Sequence, residues 1–442
     1  MHMINKGQVE GVSKSELDSL ELSPTNLPVN DTDSRNSGDM TTINGKTIDS
    51  WVYQLQGTNG NALDLDSIKS YSADLAVIDY SRDGSESGEF TATEIQELQN
   101  SGKLTLGYMP IGAADAGRFY DSNPNDGLNE PFSTPEGDSL KGPVNPNFPG
   151  TSFVQYWQQD WQDIIFGDNP LPQWVADFSQ SDDNYLERIQ GANFDGVYLD
   201  DIDSYQQFNQ DGDNSRPGAA LEMVLFINQL STWAKAQNPN FVVFPQNAEN
   251  VFNDALENLD TNGDEQLTAA DELIVAEDGL LYLDADPSNN VQTDVLLSEL
   301  DINNDVALSE TEIKAAYFDA IDGLGSEDFF FKGNQEVNNN FVDDLNTPID
   351  AVNDFKFTAE NYLEYADNDI PIFNVEYLTD DAIQKLDQYQ QITSDNYQLR
   401  NSAITTEGDA PALTNTELDS LQLIPFASPS RDLDSLPAEP FI

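Results

Sequence analysis

Eight short runs of apolar, β-branched or aromatic residues recur along the chain, and most are followed by a longer stretch with helical spacing. The runs cover residues 51–56, 74–80, 103–110, 194–201, 241–249, 318–331, 371–378 and 421–429. Strands that are apolar along almost their whole length are typical of parallel sheets, which are buried on both faces. Eight strand-and-helix units therefore predict an α/β chain folded as a (β/α)8 TIM barrel, with a doubly wound open sheet as the alternative.

Polar side chains at the ends of these runs favour the barrel. They lie at or just past the predicted carboxyl ends of the strands: Gln54, Asp79, Asp200, Glu249, Glu327 and Glu376. In a barrel the carboxyl ends of all strands converge on one mouth, whereas in an open sheet they are spread along an edge and only a few meet. The sequence therefore predicts one acidic site at the mouth of a barrel.

The composition limits the chemistry of such a site. The 442 residues include 80 acidic and 18 basic side chains, for a formal charge of −62, with no cysteine and one histidine, His2. A surface this negative repels phosphate backbones and anionic lipids, so nucleic-acid and membrane-surface roles are excluded, and no apolar run is long enough to span a membrane. Disulfides, thiol nucleophiles and a Ser-His-Asp triad are excluded as well. Proton transfer must therefore use carboxylates.

The sequence divides into four parts. Residues 1–45 are polar and lack periodicity, which predicts a flexible leader, and residues 46–251 and 317–442 carry the predicted barrel. Residues 252–316 interrupt the barrel after its fifth strand and are far longer than an ordinary βα connection. No apolar secretory signal is visible at the start. The acidity fits a saline or calcium-rich setting outside the cell, or simply a very soluble surface.

The insertion carries two loops of EF-hand type, flanked by predicted helices, in which oxygen ligands at alternate positions can wrap one Ca²⁺. Leu267 and Leu308, at the eighth position of each loop, are expected to pair. Glu265 and Val306 stand where glycine is usual, at a cost on the order of 1–2 kcal/mol for a left-handed residue. The alternative is a degenerate helical hairpin that binds no metal. The candidate ligands are Asp260, Asn262, Asp264, Gln266 and Asp271 in the first loop, and Asp301, Asn303, Asp305, Ala307 and Glu312 in the second.

Paired carboxylates in a barrel mouth point to glycoside hydrolysis, in which one acid protonates the leaving oxygen and the other attacks the anomeric carbon or activates water. Aromatic rings stack on sugars, and amides bind sugar hydroxyls. Candidates of these types are Trp51, Tyr53, Gln54, Tyr80, Tyr198, Gln246, Asn247 and Tyr377. Two other interpretations stay open, namely Mg²⁺ binding for enolase-like chemistry and the capping of nearby helices.

Successive segments of the chain resemble the blocks of the glycoside hydrolase family 114 TIM barrel. They are WVYQLQG, IDYSRDGSESGEFTATEIQEL, GYMPIG with Arg118, FVQYWQQDWQDIIFG, FDGVYLDDIDSY, FPQNAEN, IDGLGSEDFFF and FNVEYL. The resemblance runs from about residue 50 to residue 434, apart from the insertion. It implies an endo-α-1,4-polygalactosaminidase-like enzyme.

The resemblance also implies roles for single residues. The catalytic acids match Asp200 and Glu327, of which we assign Asp200 as the nucleophile or base and Glu327 as the general acid. After the third strand, where many relatives have a glutamate just after the glycine, this chain reads Gly112, Ala113, Ala114, Asp115, so a substrate contact is expected to be lost or moved. Further candidates for substrate binding or pKa tuning are Asp79, Asp203, Glu249 and Glu376.

The sequence thus predicts an exported glycoside hydrolase that acts on a polysaccharide, with structural Ca²⁺ in the insertion and no organic cofactor. The alternative from another class is a calcium-dependent carbohydrate-binding or matrix protein that keeps the barrel without catalysis. A plain calcium buffer is a third interpretation, which leaves the acids at the strand ends unexplained.

Overall fold

The computed structural model describes residues 41–48, 50–55, 57, 62–71, 73–121, 132, 134–145, 150–208, 216–271, 273–275, 281–283, 295–297, 299–327, 331–337, 340–348, 362–365, 367–375 and 423–424. Within these ranges, parallel strands alternate with helices in an α/β fold.

The parallel strands follow one another in space in the order in which they occur along the chain. The first five form one hydrogen-bonded sheet, the last three form another, and a single parallel bridge between Gln246 and Gly325 links the two. Each of the eight predicted runs contains one of these strands, which confirms the predicted strand positions. The bounds are β1 Trp51–Gln54, β2 Leu75–Asp79, β3 Leu104–Pro110, β4 Gly196–Asp200, β5 Val242–Pro245, β6 Leu324–Glu327, β7 Ile372–Val375 and β8 Leu423–Ile424.

Helices connect most of the strands. Helix α2 starts with a capping box, in which the side chain of Thr91 accepts from the Glu94 backbone and the Glu94 side chain accepts from the Thr91 backbone. No helix among the described residues is long and apolar enough to cross a membrane. The helices are α1 Leu65–Ser70, α2 Ala92–Gln99, α3 Pro135–Leu140, α4 Gln159–Ile165, α5 Gln173–Ala176, α6 Tyr185–Gly191, α7 Ala219–Gln237, α8 Val251–Glu257 and α9 Glu310–Ala320, with 3-10 turns at Glu86–Gly88 and Ile202–Gln207.

The two faces of the parallel sheet bury different sets of side chains. One set, which includes Val52, Ile78 and Val197, packs with residues of the helices. The other forms an aromatic cluster, in which the ring centroids of Trp51 and Tyr198 are 6.2 Å apart and those of Trp51 and Phe373 are 5.7 Å apart. These three rings lie on β1, β4 and β7, so the sheet curves enough for distant strands to meet across one face. The cluster also contains Tyr53, Val77, Leu106, Tyr108 and Phe244.

Short antiparallel elements surround the parallel strands. The hairpin Thr41–Ile43 and Lys46–Ile48 precedes β1 and buries Ile43 and Ile48 in the aromatic cluster. Its first strand, Thr41–Ile43, lies within residues 1–45, which are predicted to be a flexible leader. A strand with so few apolar residues gives no periodic signal in the sequence. The strands Ala113–Asp115, Lys141–Val144 and Thr151–Val154 form a sheet after β3, and Phe331–Val337 pairs with Asn340–Pro348 after β6.

The insertion is less helical than predicted. Helix α8 precedes the first loop and α9 follows the second, but Leu273–Val275, Leu281–Leu283 and Val295–Leu296 between the loops form an antiparallel sheet. Apolar and β-branched residues favour strands here over the predicted flanking helices. Leu267 pairs with Leu308 in a two-residue antiparallel ladder, which confirms the predicted contact between the loops.

Candidate active site

Three of the parallel strands have an acidic residue at their carboxyl end. These residues are Asp79 on β2, Asp200 on β4 and Glu327 on β6. Because side chains alternate along a strand, Asp200 faces the same side of the sheet as Tyr198, and Asp79 faces the same side as Val77. This is the side that carries the aromatic cluster. Asp200 therefore lies at the carboxyl end of a strand that contributes to this cluster, and Glu327 ends β6, whose Gly325 lies against the ring of Tyr198.

Both carboxylate oxygens of Asp200 accept hydrogen bonds. The hydroxyl of Tyr108 donates to Oδ2 at 2.5 Å, and the backbone N–H of Asp201 donates to Oδ1 at 2.7 Å. Burial and the negative charge of Glu327 nevertheless raise the pKa of Asp200 from its ordinary 3.8 to about 7. The two predicted catalytic carboxyls are thus close enough for the charge of one to change the protonation of the other.

Glu327 is held by Asn247, which lies just past β5. The side-chain Nδ2 of Asn247 donates to Glu327 Oε2 at 3.0 Å, and the backbone N–H of Glu327 donates to Asn247 Oδ1 at 3.1 Å. The backbone N–H of Asn247 donates to the carbonyl of Gly325 at 2.8 Å. Asn247, predicted as a sugar contact, therefore contacts Glu327, the second predicted catalytic acid, directly.

Tyr198 lies near both catalytic carboxyls. Its hydroxyl is buried and has no hydrogen-bond partner among the described residues. Burial, followed by the charges of Glu327 and Asp200, raises the pKa of Tyr198 well above its ordinary value. A Cβ added to Gly325 would lie 1.9 Å from the Tyr198 hydroxyl oxygen, so the glycine on β6 makes room for the ring.

Two further acids, Asp201 and Asp203, interact with Asp200, and a third, Glu249, interacts with Asp203. Asp201 has a left-handed backbone (φ 59°), and burial and the charge of Asp200 raise its pKa well above the ordinary value. Asp203 reaches solvent, yet partial desolvation and the charge of Asp200 raise its pKa to about 6. Burial, with smaller contributions from Asp203 and Asp254, raises the pKa of Glu249. The site therefore holds protons close to neutral pH.

Asp79 and Arg118, both predicted to bind substrate, form a buried ion pair instead. Nη1 of Arg118 lies 2.5 Å from Asp79 Oδ2, and Asp115 lies 3.5 Å from the other guanidinium nitrogen. Arg118 is only 4% exposed. The backbone N–H of Ser81 donates to the second Asp79 oxygen, and the hydroxyl of Thr151 donates to Asp115. These ion pairs and hydrogen bonds hold the loop after β3 against β2. The polar atoms of Asp79 and Arg118 are therefore largely engaged with protein groups rather than available to a sugar.

Three of the predicted stacking residues are likewise buried in the interior. Trp51 and Tyr53 are 0% and 2% exposed within the aromatic cluster. Tyr80 packs edge-on against Tyr185 with ring centroids 4.8 Å apart. This burial argues against the prediction that these three rings contact a sugar, because Trp51 and Tyr53 occupy the body of β1 and Tyr80 belongs to the core on the helical side of the sheet.

The remaining predicted substrate-binding residues are two amides, Gln54 and Gln246, and the pair Glu376 and Tyr377. Gln54 is buried and accepts from the hydroxyl of Tyr71 at 3.4 Å. Gln246 is also buried, and its Oε1 has no hydrogen-bond partner in the part of the chain that the structure describes. Glu376 and Tyr377 lie outside the described residues.

Two residues of the site were missed from the sequence. Tyr108, which donates to Asp200, belongs to an apolar run, which predicts a strand and gives no signal for a site residue. Its position directly beside Tyr198 in the β3–β4 register brings it to the site. Asp201 was overlooked beside Asp200, although the repeated acid at the end of a strand was a usable signal. Its turn depends on Gly112, where a Cβ would lie 2.0 Å from the Asp201 carbonyl oxygen.

The two loops of the insertion have a similar backbone. Asp260 accepts from three backbone N–H groups of its own loop, and Asp301 accepts from two. Glu265 and Val306 have φ values of 62° and 67°, the left-handed conformation predicted for the sixth position. Among the described residues no group of three or more His, Cys, Asp or Glu side chains is arranged to hold a metal ion.

The remaining candidate ligands also make hydrogen bonds within their loops. Asp271 and Glu312, which close the two loops, accept from Thr268 and Ser309. Other bonds run from Asn262 to Asp271, from the N–H of Asn303 to Glu312, from the N–H of Gln266 to Asp264 and from the N–H of Ala307 to Asp305.

A parallel α/β sheet with two interacting carboxyls at its strand ends is the arrangement found in many glycoside hydrolases. Comparison with protein families agrees, since the model described as glycoside-hydrolase family GH114 matches residues 32–425. The chain belongs to this family.

Curated relatives and solved structures were compared as well. An uncharacterised protein of Thermotoga maritima is 35% identical over 205 residues, which cover 46% of this chain and 54% of the relative. One from Methanocaldococcus jannaschii is 33% identical over 203 residues, covering 46% and 50%. The chain thus matches about half the length of these relatives. The glycoside hydrolase domain of PelA from Pseudomonas aeruginosa covers 79% of this chain and 92% of its own, with 12% identity and a TM-score of 0.41.

Proposed function

We propose that the chain is a glycoside hydrolase that cleaves a polysaccharide with Asp200 and Glu327 as its catalytic acids. The observation that carries the proposal is the interaction of these two carboxyls at the ends of β4 and β6, where the charge of Glu327 raises the pKa of Asp200. Donors orient both groups. Hydrolysis of a glycosidic bond needs two carboxyls of this kind on either side of the bond.

The same proposal includes closure of the parallel sheet into a (β/α)8 barrel. In a flat sheet, strands six positions apart would be separated by about 29 Å. The rings of Trp51 on β1 and Phe373 on β7 are 5.7 Å apart, which supports closure. The sequential order of the strands supports it as well.

The hydrogen bonds of Asp200 support its role as the nucleophile or base. Both of its oxygens accept from fixed donors, which suits a carboxylate that reacts as an anion in one orientation. Glu327 is then the general acid, which gives its proton to the leaving oxygen. With Asp200 ionised and Glu327 protonated, the pair carries one proton, as two interacting carboxyls do near neutral pH.

The substrate that we propose is a galactosaminan-type polysaccharide. Its free amino groups are cationic, and the site holds further acids, since Asp201 and Asp203 interact with Asp200 and Glu249 interacts with Asp203. Family membership adds to this, since the endo-α-1,4-polygalactosaminidase activity is associated with it. Acids at the rim attract an ammonium group and favour amino sugars over neutral ones.

We also propose that the two loops of the insertion bind structural Ca²⁺ and that the protein acts outside the cell, where calcium is abundant. The Leu267–Leu308 ladder supports a paired-loop arrangement, and the left-handed Glu265 and Val306 support the tight turn that EF-hand loops need. Calorimetric titration of calcium into chelator-treated protein is expected to show about two sites. The absence of a binding signal would refute the metal proposal.

The catalytic proposal is tested with Asp200→Asn and Glu327→Gln. Reducing-end release is measured on galactosaminogalactan and on other exopolysaccharides. Each variant is expected to lose activity by about 1,000-fold or more while it keeps the circular dichroism spectrum of the wild type. Asp182→Asn, which removes one exposed carboxylate, is the matched control and is expected to stay active. Activity retained in either site variant, or polysaccharide binding by the wild type without hydrolysis, would refute the proposal.

A further inference from the structure

The hydrogen bonds between Asn247 and Glu327 determine which side-chain atom of Asn247 is the oxygen and which is the nitrogen. The backbone N–H of Glu327 can only donate, so the Asn247 atom at 3.1 Å must be Oδ1. The amide nitrogen is then the atom 3.0 Å from Glu327 Oε2. Asn247 therefore accepts from the backbone of Glu327 and donates to its carboxylate at the same time.

The backbone around Asn247 supports this contact. Asn247 and Ala248 both have left-handed conformations, with φ values of 57° and 53°. Such a conformation is unfavourable for a residue with a Cβ, although asparagine adopts it more readily than most. Gln246 forms a parallel bridge with Gly325, and the N–H of Asn247 donates to the carbonyl of Gly325. The turn is thus attached to β6 two residues before Glu327.

We propose that Asn247 is a positioning residue that holds the carboxyl of Glu327 in its reactive orientation, rather than a residue that binds the sugar. This inference rests on the proposed glycoside hydrolase function. Each polar atom of the Asn247 amide already has a partner on Glu327. A carboxyl on a side chain with several rotatable bonds loses that orientation when the two hydrogen bonds from Asn247 are removed, and small misplacements of reacting groups reduce turnover strongly.

The charged neighbours of Glu327 make the amide donor important. Asp200 and Asp201, at the end of β4, both experience the negative charge of Glu327. Tyr198, whose hydroxyl lies near Glu327, is neutral in the folded protein because burial and these charges raise its pKa. An N–H donor stabilises the carboxylate that Glu327 becomes once it has given its proton to the leaving oxygen, and a carboxylate in place of the Asn247 amide would do the opposite.

Two variants test the proposal, Asn247→Gly and Asn247→Asp. Both glycine and aspartate adopt the left-handed conformation at this position, so the turn is expected to fold as in the wild type. Asn247→Gly removes both hydrogen bonds and is expected to lower kcat about 100-fold with KM within about threefold of the wild type. Asn247→Asp keeps the acceptor for the Glu327 N–H but replaces the donor with a second negative charge. It is expected to raise the pH at which Glu327 titrates by about one unit.

The matched control lies on the same loop. Asn250 donates from its amide to the carboxylate of Asp254 at 2.6 Å, which is the same chemistry away from the catalytic pair. Asn250→Gly is expected to keep kcat and KM close to the wild-type values. An equal loss of kcat in Asn250→Gly, or a higher KM with unchanged kcat in Asn247→Gly, would overturn the positioning role.

A measurement without turnover separates this inference from the proposed function. Carbon-13 NMR of the glutamate carboxyls, with Glu327→Gln used to assign the signal, gives the titration of Glu327 in substrate-free protein. The Glu327 signal is expected to titrate at a different pH in Asn247→Gly than in the wild type. Identical titration curves would overturn the inference even if the enzyme is active, whereas a wild type that hydrolyses no polysaccharide would refute the proposed function alone.

Discussion

Asp200 is expected to lower the stability of the folded protein at neutral pH. Its pKa is raised from 3.8 to about 7 in the folded state, so between these values the native protein holds a proton that the unfolded chain releases. Stability from this group is therefore greatest at low pH and is lost as the pH rises through this window. Between about pH 5 and about pH 8 the full loss would be about 2.5 kcal/mol. Partial access of solvent to the carboxyl reduces it to about 2 kcal/mol.

Asp200→Asn tests this quantity directly, because an amide cannot ionise. The amide keeps an acceptor for the Asp201 N–H but loses the anionic acceptor for the Tyr108 hydroxyl, at a cost of about 1 kcal/mol that does not depend on pH. The variant is therefore expected to gain about 2 kcal/mol relative to the wild type as the pH rises from about 5 to about 8. At the higher pH it should be the more stable protein, although it has lost its activity.

The assay is unfolding in guanidinium chloride at both pH values, with equal ionic strength and with a check that the denaturant slope is unchanged. Asp182→Asn changes the net charge by the same amount at an exposed position, so its effect on the free energy of unfolding should differ by less than about 0.5 kcal/mol between the two pH values. An Asp200→Asn effect that is equally independent of pH would show that this carboxyl is ionised in both states and would refute the reasoning.

Three more predictions follow from the site. The value of kcat/KM is expected to rise as the pH passes about 7, because a nucleophile or base at Asp200 must lose its proton, and a fall over the same range would exchange the roles of Asp200 and Glu327. Gly325→Ala is expected to lower the free energy of unfolding by about 1–3 kcal/mol and to remove most of the activity, because the new Cβ would lie 1.9 Å from the Tyr198 hydroxyl oxygen. Gly191→Ala is the control and should be tolerated, because no neighbouring heavy atom lies within 4 Å of the added Cβ. Arg118→Met is expected to cost about 3–5 kcal/mol in denaturant unfolding, because Asp79 and Asp115 would stay buried without their cation; a cost below about 1 kcal/mol would contradict that ion pair.

The strands and the proximity of Asp200 to Glu327 could be predicted because they depend on short-range sequence patterns. Each apolar run forms a buried strand wherever it lies in the sequence, and an acid such as Asp200 at the end of a parallel strand reaches the same edge of the sheet as Glu327. What could not be predicted depends on register and on turns. Tyr108 reaches Asp200 only through the pairing of β3 with β4, and Asn247 reaches Glu327 only through a left-handed turn.

Aromatic residues were the weakest part of the prediction, for a related reason. A ring at the end of a strand is open to a ligand, whereas a ring in the body of the strand on the same face is covered by its neighbours. Trp51, Tyr53 and Leu55 follow one another at intervals of two residues on the same face, and all three are buried. Because side chains alternate along a strand, the sequence predicts which face of the sheet a side chain lies on. How far that side chain lies below the strand ends depends on the stagger of neighbouring strands, which the sequence pattern does not show.

The few cations of the chain explain which acids become available for catalysis. Arg118, Arg188 and Arg216 are paired with carboxylates, and each guanidinium also lies over an aromatic ring. Asp79 faces the aromatic side of the sheet as Asp200 does, but Arg118 neutralises it and makes it structural. Asp200 has no basic partner among the described residues, so its charge is balanced only by neutral donors and interacts with that of Glu327. With 18 basic residues against 80 acids, the placement of the cations therefore decides which strand-end carboxyl can exchange a proton with a substrate.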